Sequence, residues 1–228
     1  MPPSTPFLRL LFGLALAGVI SGSPSATAAA DSQVFRYQQQ TGERSQTFSL
    51  SLDPGPPLHL TADSALERHQ TVMEADFSTR SWQLTQSTEG TEILARREGN
   101  TLLISGLLRG QRIDRSLRLD PDPWYQALSI ALRRLLGSRS EAEEFWTLRP
   151  DTLEVHKVRA VRQALETLEI GGRPVPAWRL EVRLVGLKAL FWHSNYWLRQ
   201  SDGVFLRYRG PSGPPGQPMT EVRWLGED

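Results

Sequence analysis

The chain contains no cysteine. That excludes thiol nucleophiles, disulfide staples and thiolate metal sites. It also excludes a lipid-modified amino-terminal cysteine, the anchor that exported lipoproteins use. Lysine is almost missing, since Lys157 and Lys188 are the only two among 26 basic residues. Residues 1–30 hold no acid and one base, Arg9. Lys plus Arg number 26 against 25 Asp plus Glu, so setting Arg9 aside leaves the rest in balance. A nucleic-acid binder carries a basic footprint, and this chain has none overall, so no nucleic-acid partner is expected. The nucleotide-binding glycine patterns Gly-x-x-x-x-Gly-Lys and Gly-x-Gly-x-x-Gly are absent, as are Gly-x-Ser-x-Gly and His-Glu-x-x-His. The apolar run at 10–20 is too short for a membrane span, which needs about 20 apolar residues.

That run lies between Arg9 and the small residues Ala28-Ala29-Ala30. The pattern predicts a secretory signal peptide over 1–30, cleaved near Ala30, and a periplasmic location for one β-rich domain over 31–228.

Beyond residue 31, apolar residues alternate with polar ones. Phe35 and Tyr37 alternate with Arg36 and Gln38; Phe48, Leu50 and Leu52 with serines; Trp178, Leu180, Val182 and Leu184 with charged residues. A period of two, one face buried and one wet, marks antiparallel strands. Turn dipeptides at Gly42-Glu43, Glu89-Gly90, Gly99-Asn100, Gly110-Gln111, Gly171-Gly172 and Asp202-Gly203 punctuate the runs and predict a meander. Residues 153–168 fit either a helix or a strand by spacing, and the Gly171-Gly172 turn favours the strand. Arg109, Arg112, Arg115 and Arg118, three apart, alternate faces on a strand and read as a solvated edge.

One stretch breaks the alternation. Trp124, Leu128, Ala131, Leu132 and Leu135 fall on one helical face. Asp122 suits the N-cap, Pro123 the first helical position and Gly137 the stop. The expectation is an amphipathic helix lying across the sheet.

The last forty residues carry the densest aromatic pattern. A two-residue turn at Asp202-Gly203 would place Trp197 opposite Tyr208 and Arg199 opposite Leu206 on one face. It would place Leu198 opposite Arg207, and Tyr196 opposite Arg209 as a cation–π pair, on the other. A longer loop would reverse every facing assignment. The segment 210–218 is rich in Gly and Pro and reads as a stiff connector into a final strand.

These motifs carry a resemblance. The pattern Phe191-Trp192, Tyr196-Trp197-x-Arg199, Asp202-Gly203, Tyr208-x-Gly210 and Gly213-x-Pro215-Gly216, with Asp122-Pro123-Trp124-Tyr125-Gln126-Ala127-Leu128 upstream, resembles the DUF3108 family of exported proteobacterial proteins. The family has no agreed activity. The resemblance implies a mainly β fold, a curved antiparallel sheet or unclosed barrel similar to the LolA/LolB lipoprotein carriers, with one amphipathic helix packed on it.

Three functional readings stay open. The first is a non-enzymatic envelope protein holding a lipid or other apolar small molecule in the curved sheet, with Trp124, Leu128, Leu132, Trp192, Tyr196, Trp197 and Tyr208 as candidate ligand-binding residues. The second is an assembly factor acting through contacts with another envelope protein. The third is an enzyme built around His59, His69 and Glu74, the crowded acid and histidine region that also includes Glu67 and Asp76. No catalytic residue, metal ligand or cofactor is assigned on the first two readings.

Overall fold

A computed structural model describes residues 32–186, 192–212 and 217–227. The proposed signal segment, Phe191 and the Gly213-x-Pro215-Gly216 motif lie outside the described residues.

The alternating runs form strands, in chain order β1 (Gln33–Thr41), β2 (Arg44–Asp53), β3 (Leu58–Asp63), β4 (Arg68–Met73), β5 (Thr79–Gln86), β6 (Thr91–Glu98), β7 (Thr101–Leu108) and β8 (Gln111–Arg118). Two short helices follow, α1 (Leu128–Ala131) and α2 (Arg133–Gly137), and then β9 (Ala142–Leu148), β10 (Val155–Ile170), β11 (Arg173–Leu184), β12 (His193–Arg199), β13 (Phe205–Pro211) and β14 (Met219–Glu227). Each predicted turn dipeptide separates two strands. The ambiguous stretch 153–168 belongs mostly to β10, a strand.

All strands join one antiparallel sheet in the order β8-β7-β6-β5-β4-β3-β2-β1-β14-β13-β12-β11-β10-β9. Each strand pairs with its neighbours in sequence except that β8 and β9 do not meet and β1 pairs instead with β14, Phe35 opposite Glu227 and Thr41 opposite Thr220. The sheet is curved and unclosed, with β8 and β9 at its two ends. The arginine-bearing strand is thus an edge, as its spacing predicts. The inner-face residues Phe35, Tyr37, Phe48, Leu50, Leu60, Leu180 and Val182 are all buried and form the main core with the helical segment. A second cluster around Trp82, Ile93, Leu102, Ile104 and Leu148 sits under the β5–β7 end.

The helical segment starts later than its sequence spacing predicts. Asp122 and Pro123 cap nothing, and Trp124 is not helical. Residues 120–126 instead form a strap that joins β9 on one side to β5 and β6 on the other. Trp124 bridges Trp146 in parallel, with Trp146 N–H donating to Pro123 O (2.8 Å) and Tyr125 N–H to Trp146 O (2.9 Å). On the other side, Thr79 N–H donates to Trp124 O (2.7 Å), and Arg97 donates to the carbonyls of Asp120 and Asp122. Lys157 ties both Asp120 and Asp122 by ion pairs. The physical reason is backbone satisfaction. The edge of β9 and the start of β5 have N–H and C=O groups to pair, and the strap supplies them, overriding local helical preference. Gly137 does end the helical segment, as expected.

Candidate ligand cavity

The inner face of the sheet, the end of the strap and the start of α1 enclose a partly open cavity of about 510 Å³. Its wall draws on nearly every strand except β6, β7 and β8. Phe48, Leu50, Leu60, Ala62, Trp82, Val158, Leu184, Trp192, Tyr196, Phe205, Tyr208 and Val222 give it an apolar, largely aromatic surface. Strand alternation explains this placement, since inner-phase positions recur every second residue and converge as the sheet curls.

Of the seven expected ligand-binding residues, Leu128, Trp192, Tyr196 and Tyr208 lie on this lining. Trp124, Leu132 and Trp197 do not. Trp124 is fully buried in the second cluster beneath the strap, its Nε1–H donating to Gln126 Oε1 at 3.1 Å. Leu132 joins α1 to α2 and packs in the main core. Trp197 faces outward, with its Nε1–H on Glu166 (2.7 Å) and Arg207 over its ring at 5.1 Å.

The hairpin's turn and bulge together explain the Trp197 result. Gly203 N–H bonds Arg199 O (2.8 Å) and Arg199 N–H bonds Val204 O (2.7 Å), so the loop is longer than two residues. The register moves by one, with a bulge after Trp197. Tyr196 therefore opposes Tyr208 on the inner face, their rings edge-on at 5.0 Å, and Trp197 opposes Arg207 on the outer face. The expected Tyr196–Arg209 pair is replaced by Trp197–Arg207. Gly210 is required on this wall, because a Cβ there would stand 2.5 Å from the Tyr208 hydroxyl and 2.6 Å from Ser194 Cβ.

Polar groups punctuate the lining. His69 on β4 is buried, and its Nδ1 accepts from Trp82 Nε1–H at 3.1 Å. A neutral imidazole accepting at Nδ1 carries its proton on Nε2, which stands 4.0 Å from Glu67 Oε1. Burial pushes the His69 pKa down to about 3. Arg149 is gripped by Asp151 (2.6 Å) and approached by Glu154 (3.9 Å). Gln39 on β1 is buried, and its Oε1 has no hydrogen-bond partner among the described residues.

Of the crowded acid and histidine region, Glu67 lies beside His69, while the other members are placed apart. His59 is exposed while His69 points inward. Asp76 sits in the β4–β5 turn, accepting from Ser78 and paired with Arg134 at 3.4 Å. Among the described residues, no three His, Asp or Glu side chains converge as a metal site would.

Sequence reasoning did not name Gln39, Leu60, Ala62, Thr71, Trp82, Phe205 or Val222 as lining residues. A signal for Gln39 existed: it continues the buried Phe35, Tyr37 phase of β1.

No protein family matches the chain, and no curated protein matches it by sequence. Among solved structures, it is similar to a β-barrel-like protein of the DUF1849 domain of unknown function from Brucella abortus, with 9% identity, 86% of this chain and 97% of that one covered, and a TM-score of 0.59. It is similar at lower scores to the hypothetical lipoprotein YmcC of Escherichia coli (16% identity, 84% and 83% covered, TM-score 0.39). A LolA-superfamily protein of Nitrosomonas europaea also matches (9% identity, 87% and 86% covered, TM-score 0.29). Of these three, the first is alike enough to define the fold, a β-barrel-like sheet.

Proposed function

We propose that this is a non-catalytic envelope protein that holds an apolar small molecule, such as an acyl chain, inside its curved sheet. One observation carries the reading: the cavity of about 510 Å³, open to entry and walled mainly by aliphatic and aromatic side chains. Ligand pockets typically span roughly 300–1,000 Å³ and are mostly apolar with a few placed polar groups. The reading includes export by the 1–30 segment and membership of the DUF3108 type, on the motifs quoted above. Asp122-Pro123-Trp124-Tyr125 then has a physical role, as the strap that joins β9 to β5 and β6 beside the cavity.

The test is native mass spectrometry of the chain recovered from the periplasmic fraction of its source cells. The expected result is a mature chain beginning near Asp31 that carries extra mass removable by organic solvent. A chain with no such adduct, which also fails to take up an apolar fluorescent probe, overturns the reading. A protein partner is the second reading, favoured by the edge strand β8, whose outer side is unpaired in the sheet. In-cell crosslinking through β8 that returns only the single chain would reject it.

A further inference from the structure

The polar groups of the lining say what kind of apolar ligand it suits. Volume comes first. A methylene is close in size to a water molecule, about 30 Å³ in the liquid, so 510 Å³ accommodates about 17 such groups. That is about the bulk of one long acyl chain.

Charge comes second. Among the described lining residues, Arg149 is the one lysine or arginine, and it is already bound by Asp151 and Glu154. An ionised head group brought into this cavity would lose water and gain no uncommitted cation among the described lining residues, which is strongly unfavourable.

Hydrogen bonding comes third. Gln39 is only 6% exposed, lines the cavity, and has an Oε1 with no partner among the described residues. It stands in register with Gln46 of β2 and Val222 of β14. Thr220, also on the lining, has its hydroxyl engaged with Thr41 at 2.8 Å. A buried amide oxygen without a donor is costly. It is a place prepared for a donor that arrives with the ligand.

We propose that the cavity takes an uncharged single-chain amphiphile and that Gln39 accepts a hydrogen bond from its hydroxyl or amide end. This rests on the apolar-ligand reading above and narrows it to a class: long-chain alcohols, amides and monoacylglycerols.

The experiment compares hexadecanol, its methyl ether and hexadecanoate by native mass spectrometry and competition against a fluorescent apolar probe. The ether keeps the chain and the oxygen but has no hydrogen to donate. The alcohol is expected to bind about tenfold more tightly than the ether, as a buried acceptor regains a partner, with hexadecanoate the weakest of the three at neutral pH. In Gln39→Met, checked by thermal unfolding to be folded, alcohol and ether bind alike. Equal binding of alcohol and ether to the natural chain overturns the proposal whatever the variant does, as does a preference that survives in Gln39→Met. Tightest binding by hexadecanoate overturns the uncharged class. All three of these failures leave the apolar-ligand reading standing, whereas no binding of any probe removes that reading and this one together.

Discussion

His69 lies on the inner face of β4, packed against Trp82. A histidine near acids invites a metal or catalytic reading, but alternation puts His69 inside and His59 outside, so the two do not meet. Inside, His69 serves as the hydrogen-bond acceptor for Trp82. Its pKa falls from 6.5 to about 3 because burial disfavours the imidazolium, despite Glu67 at 4.0 Å. Below pH 6.5 the unfolded chain takes up a proton that the folded chain refuses, so stability is lost as pH falls from about 6.5 towards about 3. The slope from this residue is at most about 1.4 kcal/mol per pH unit. Urea unfolding at pH 7 and pH 5 should therefore show a smaller pH loss in His69→Phe than in the natural chain. Equal losses would mean that His69 is protonated in the fold.

At the scale of elements, the strands and most of the turns between them were legible, while the strap and the hairpin bulge were not. Phe48-Ser-Leu50-Ser-Leu52 announces β2 because each inner side chain is apolar and each outer one polar. β10 was harder, since valines at steps of three and four satisfy a helix equally well. The Asp122-Pro123 signal failed because a cap is a local preference worth about 1 kcal/mol, and the strap's hydrogen bonds to β9 and β5 outweigh it. The Trp197 face failed because the bulge after Trp197 moves the register by one and reverses the facing beyond it, and nothing in Asp202-Gly203 signals that bulge. Four of the seven candidate residues line the cavity, with Tyr196 and Tyr208 as each other's partners. The strap makes its own prediction. Arg97→Met removes two charge-assisted donors to the Asp120 and Asp122 carbonyls and is expected to destabilise by about 1–3 kcal/mol. Hydrogen exchange at the Trp146 and Tyr125 amides should speed up before that of the central strands β1 and β14. Unchanged exchange there would show that β9 holds the strap without Arg97.

For the whole molecule, the curvature of one sheet produces both the core and the cavity, because the same inner phase is filled by α1 and α2 in one region and left open beside them. Ala62, a small buried residue on the cavity wall, tests whether that space is used. Ala62→Phe is expected to weaken apolar-probe binding by about tenfold, or about 1.4 kcal/mol, with the fold retained by circular dichroism; full binding by the folded variant would place the ligand elsewhere. The pairing of β1 with β14 has a further consequence. Residues close to the two ends of the described chain, Phe35 and Glu227, are neighbours at the middle of the sheet, while the gap in the sheet falls midway along the polypeptide. Folding must therefore close its largest loop at the centre of the structure. A circular permutant with those ends linked and a new start in the turn after β8 would read as one unbroken meander from β9 to β8. It should fold faster than the natural order in stopped-flow refolding, while unfolding at a similar rate.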